Sequence, residues 1–104
     1  MNAAEHAALC RLVGVLLVTD GHLTDPEFDY FTALLDRFGL SGAARAEVTD
    51  AITIDADLSA DLKLLASSEA RQEVLDELER AATLDGEVSP PVADLLARLR
   101  EALA

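Results

Sequence analysis

Thr19-Asp20-Gly21-His22-Leu23-Thr24-Asp25-Pro26 returns 65 residues later, Asp20 to Asp85, as Leu84-Asp85-Gly86-Glu87-Val88-Ser89-Pro90-Pro91. Each copy sets a glycine, the residue that most readily turns left-handed, between an apolar run of helical period and a helix start signal. In the first copy that signal is complete. Thr24 is an N-cap, Pro26 suits the first turn, and Glu27 stands three residues after Thr24, the capping-box spacing. In the second copy Ser89 is the cap, with Pro90 and Pro91 in the first turn. The likeness continues on both sides. Asp29 matches Asp94, Phe31 matches Leu96, Leu34 matches Leu99 and Phe38 matches Leu103; upstream, Leu9 matches Val74 and Val13 matches Leu78.

Two helix–Asp-Gly–helix hairpins, 6–38 and 71–103, therefore flank a middle that reads as about two shorter helices. The first helix is expected from Ala3 to Val18, with Leu9, Leu12, Val13, Leu16 and Leu17 as its buried stripe. The second carries Phe28, Phe31, Leu34, Leu35 and Phe38 on one apolar face and stops at Gly39. Ser41 caps a third helix reaching Ile54, with Val48 and Ile52 inward, and Ser59 caps a short fourth with Leu62 and Leu65. Ser67 or Ser68 starts a fifth that ends near Leu84, and the sixth has Val92, Leu95, Leu96, Leu99 and Leu103 as its stripe. No segment has the strict alternation of a half-buried strand. The expected class is all-α, one domain over 1–104, a bundle of about five to seven helices whose short links favour antiparallel neighbours.

A chain of 104 residues, 51% apolar, can bury a core without staples and is not a disordered tail. Its aromatic residues, Phe28, Tyr30, Phe31 and Phe38, fall in one segment, the expected core anchor. Tyr30 lies off the main stripe, and its role stays open between an exposed contact and a second packing face. With 20 acids against 8 bases the net charge is −12, which repels phosphate backbones and anionic lipid and favours basic proteins and divalent cations. Nucleic acid and membrane insertion are not expected. The apolar run Leu12 to Val18 is too short to span a bilayer, and no basic segment before it resembles a signal peptide. Cys10, the single cysteine, has no internal partner, which suits a reducing cytoplasm.

An Asp just past a helix end faces the negative pole of the helix dipole, and this happens twice, at Asp20 and Asp85. Two explanations stand side by side. Locally, the carboxylate accepts backbone N–H groups of the following turn. Alternatively, a divalent cation compensates, since carboxylates and helix-end carbonyls are the hard oxygen donors that Ca²⁺, Mg²⁺ or Mn²⁺ prefer. The available acids are Asp20, Asp25 and Glu27 in the first hairpin and Asp85, Glu87 and Asp94 in the second. An EF-hand is rejected: its opening acid falls on Leu16 and its next ligand on Val18, both apolar.

Asp20-Gly21-x-Leu23-x-x-x-Glu27 before an amphipathic helix, echoed by Asp85-Gly86-x-Val88, resembles the tellurite-resistance TerB-like domain, along nearly the whole chain. The resemblance implies an all-helical bundle of paired hairpins. It further implies a cytoplasmic, non-catalytic module, linked to stress or envelope-associated complexes, whose acidic face binds divalent metal. Carried over by position, the metal candidates are Asp20, Glu27 and Asp85. The second copy departs from the pattern, because Val92 stands where Glu27 does and leaves it a carboxylate short. Beside this reading stands a metal-independent domain that recognises a basic partner surface.

Other constellations are weak. His6 and Cys10 are i, i+4 on one helix, but with only His22 to join them they fall short of a tetrahedral zinc set. There is no nucleophile elbow, phosphate loop or tight acid pair near a histidine, so an enzyme is not expected. The acids Asp55, Asp57 and Asp61 read as a solvated surface or part of a docking face.

Overall fold

A computed structural model describes residues 1–53, 56–84 and 86–104. Six α-helices are present among them, and no strand: α1 Ala3–Val18, α2 Asp25–Arg37, α3 Gly42–Asp50, α4 Ser59–Ala66, α5 Arg71–Ala82 and α6 Pro90–Leu103. The all-α bundle expected from the repeat is what forms.

The bundle is organised around α1, which packs against each of the other five helices. The sequence explains why. Besides its stripe of Leu9, Leu12, Val13, Leu16 and Leu17, α1 buries Ala8, Cys10, Gly14 and Val15 on the remaining sides. A helix apolar all round belongs in the interior. Gly14 makes close approach possible: a Cβ there would stand 2.2 Å from the Ile52 Cδ1 and 3.2 Å from the Phe31 ring. At its start, Asn2 and Glu5 form a reciprocal capping box, with the Asn2 side chain accepting the Glu5 N–H at 2.9 Å.

The two hairpins are α1–α2 and α5–α6, and their corners are alike. Gly21 has φ +82° and Gly86 φ +80°, the left-handed region. Gly21 N–H donates to the Val18 carbonyl, and Gly86 N–H to that of Thr83, both at 3.0 Å. Most matched apolar side chains share a fate too: Leu9, Val13, Phe31, Leu34, Val74, Leu78, Leu96, Leu99 and Leu103 are buried, while Phe38, the match of Leu103, is half-buried against the core. Asp85 lies outside the described residues.

Four expectations are corrected. The third helix stops at Asp50, short of Ile54; Ile52, released from it, fills the gap over Gly14, and Ile54 itself lies outside the described residues. Ser67 and Ser68 do not start α5. The Ser67 hydroxyl donates back to the Leu64 carbonyl, closing α4, and Ser68 Oγ accepts the Ala70 N–H, so α5 opens only at Arg71. Ser59 is not a cap but the first residue of α4, its N–H held by the Asp57 carboxylate at 3.0 Å. Phe28 is not core: it is 55% exposed, whereas Phe31 on the same face is buried. Tyr30 is half-buried against the core, the second-packing-face alternative.

Candidate functional site

The corner after α1 shows how Asp20 is held. Its Oδ1 accepts the His22 N–H at 2.9 Å, the local compensation expected of an acid at a helix end. Its Oδ2 accepts the Ser89 hydroxyl at 3.4 Å, a contact between the two hairpins. Ser89 was expected to cap α6, yet makes no side-chain cap bond. Glu27 is buried although charged. Its Oε1 accepts the Thr24 N–H at 3.0 Å, while its own N–H donates to Thr24 Oγ1 at 3.3 Å, the capping box read from the sequence.

Asp20, Glu27, Glu87 and Ser89 line one cavity of about 60 Å³, walled by Leu16 and Val92. This is room for about two waters at their share of liquid volume. The corners thus bring together two of the three expected metal candidates, Asp20 and Glu27, with Glu87 beside them. The third, Asp85, lies outside the described residues. Among the described residues, no three His, Cys, Asp or Glu side chains converge as a metal-holding group. Asp25 and Asp94 are exposed and do not line the cavity.

The zinc trio is likewise not assembled among the described residues. His6 stacks on Phe38, ring centroids 4.3 Å apart and planes within 4°, and its burial holds its pKa below the ordinary value. Cys10 is buried, which pushes its thiol up to about 12, so it stays protonated at neutral pH.

Beside Gly14 of α1 lies an apolar groove of about 230 Å³, which sequence reasoning missed. Gly14 and Leu17 of α1, Leu23 in the corner, Phe28 and Phe31 of α2, and Ile52 after α3 line it. Leu23 and Phe28 stand 47% and 55% exposed on its rim. The signal for it was present in the repeat, since Leu23 follows the glycine corner and Phe28 lies one turn beyond the cap, before α2 reaches the core.

The stretches of chain that line this groove contain acids and no bases. Five of the 8 bases are engaged internally: Arg11 with Asp61, Arg37 and Arg80 with Glu77, Arg45 with Asp36, and Arg100 with Glu79. The Arg11–Asp61 pair is bidentate at 2.8 Å, which raises the Arg11 pKa. Glu77, buried, draws two guanidinium groups to one carboxylate. Every groove residue comes from 12–36 or 46–62, and neither stretch contains a Lys or Arg. Those stretches carry Asp25, Asp29, Glu47 and Asp50, all exposed and outside the ion pairs found among the described residues.

No protein-family model, curated protein or solved structure matches this chain.

Proposed function

We propose that the chain is a non-catalytic, acidic helical module, TerB-like in design, that recognises a basic surface on a protein partner in a stress-related setting. One observation carries this reading. Five of the 8 bases are spent in internal ion pairs, and none of the 8 falls within residues 12–36 or 46–62, the stretches that line the groove and carry the exposed acids Asp25, Asp29, Glu47 and Asp50. A field of one sign steers oppositely charged partners and makes their binding depend on salt. The test is titration of a Lys- and Arg-rich peptide against the full chain at rising ionic strength. Affinity that falls steeply as salt passes from about 50 to about 300 mM, and is indifferent to chelator, supports the reading. Binding that ignores salt, or no binding, overturns it.

A second reading has its own observation. Asp20, Glu27 and Glu87 line a single small cavity where the hairpins meet; the three do not converge as one metal-holding group, so a Ca²⁺, Mn²⁺ or Mg²⁺ ion there would take one or two of these carboxylates, with water, as its hard oxygen donors. A cation bound only to the folded chain would raise its melting temperature. The proposal is sustained by such a rise that Asp20→Asn removes, and refuted by identical melting in chelator and in each of the three metals at millimolar concentration.

A further inference from the structure

We infer that the groove beside Gly14 is the docking site for an amphipathic helix of a protein partner, one that inserts a bulky apolar side chain between Leu23 and Phe28 and sets Lys or Arg residues against the acidic rim. The inference rests on the proposed recognition of basic partners and names where and what they bind.

Three features choose this occupant. The first is shape and chemistry. A groove of about 230 Å³ walled by Leu17, Phe31 and Ile52 is below the usual size for a drug-like ligand. It suits one or two side chains, since a cavity of about 150 Å³ already accepts a benzene ring. The second is exposure. Leu23 and Phe28 stand 47% and 55% exposed side by side on the rim, and apolar surface rimmed by polar residues marks an interaction site. The third is charge. Asp25 and Asp29 flank Phe28 along α2, and Asp50 follows Thr49 at the far wall, with no base within either contributing stretch.

A second copy of this chain would bring a net charge of −12 to an acidic rim, and an anionic membrane would be repelled in the same way. An extended peptide has no sheet edge to join among the described residues. A helix laid in an apolar groove, with anchors at i, i+3, i+4 and i+7, is the mode of peptide recognition that sets a bulky apolar side chain into the groove and basic residues along its edge.

The experiment uses the intact chain and three synthetic eighteen-residue peptides. One has leucines at i, i+3, i+4 and i+7 on a lysine background. A second replaces those leucines with alanine, and a third replaces the lysines with glutamate. Fluorescence anisotropy measures each against the wild type, Phe28→Ala and Leu23→Ala, both exposed positions, with circular dichroism to check that each variant keeps its helical content. The inference expects the Leu/Lys peptide to bind best, with about tenfold or greater loss on either protein substitution, as expected of an anchor contact. It expects a comparable loss with the alanine peptide and none binding with the glutamate peptide. Equal binding of the leucine and alanine peptides, unaffected by Phe28→Ala, overturns the groove while leaving recognition of basic partners standing. Binding of the glutamate peptide overturns the stated charge of the partner. No binding by any peptide overturns the groove and the proposed function together.

Discussion

Phe28 and Phe31 lie one turn apart on the same face of α2, and truncating each to alanine should separate a side chain that holds the fold from one that serves its surface. A phenylalanine carries roughly 200 Å² of surface. With Phe28 at 55% and Phe31 at 9% exposure, roughly 90 Å² and roughly 180 Å² respectively leave water on folding. At about 25 cal/mol/Å² these are worth about 2 and about 4.5 kcal/mol, upper values because the unfolded chain already hides part of that surface. Alanine returns about 0.5 kcal/mol through its better helix propensity in both cases. Truncating Phe31 also opens a cavity against Gly14 and Ile52. The expected costs are therefore about 1 kcal/mol for Phe28→Ala and about 4 kcal/mol for Phe31→Ala. Urea unfolding at constant m measures both. Equal costs, or a larger cost at Phe28, would refute the placement of Phe28 on a solvent-facing rim.

Thr24→Ala should cost about 1 kcal/mol, because it removes the acceptor for the Glu27 N–H. Ser89→Ala should cost less than half of that in the same urea experiment, since the Ser89 side chain makes no cap bond and reaches Asp20 only at 3.4 Å. The Cys10 thiol gives a pH signature. Its pKa is raised in the fold to about 12 from 9.0, so the unfolded chain ionises first, and the native state loses relative stability as pH climbs from 9.0 towards 12. The loss approaches a limit of about 1.4 kcal/mol per pH unit. Comparison with Cys10→Ala isolates it: the wild type should lose stability faster than the variant above that lower bound, and parallel curves would contradict the burial of the thiol.

The architecture was legible where local rules and tertiary packing agree. The glycine corners could be read because φ near +80° at Gly21 and Gly86 is a backbone demand that few other residues meet. The α2 start could be read because Thr24 and Glu27 satisfy each other within one turn. The path of α1 was legible, but its central place was not: the stripe of leucines concealed that Ala8 and Val15 are buried on its other sides. Misreadings arose where a distant residue decided the outcome. The Ser89 hydroxyl looked like a cap and was taken by Asp20 from the other hairpin. Ile52 looked like the inward face of a longer α3 and instead fills the space that Gly14 leaves. Phe28 shares the periodicity of Phe31, and periodicity alone does not say where along a helix its cover ends. Of the candidate site, the acids at the first corner could be named from the repeat. That Glu87 joins them, and that an apolar groove opens beside Gly14, follows only from the way the other helices fold onto α1.

The most direct test is an amide NMR titration of the uniformly ¹⁵N-labelled chain with the Leu/Lys peptide. Docking in the groove predicts that the largest shifts cluster at Gly14, Leu23, Phe28, Thr49 and Ile52, with Glu69 and Glu73, which line a separate pocket with Asn2 and Glu5 at the start of α1, unmoved. Shifts spread evenly over the acidic surface, or centred on Glu69 and Glu73, would contradict it.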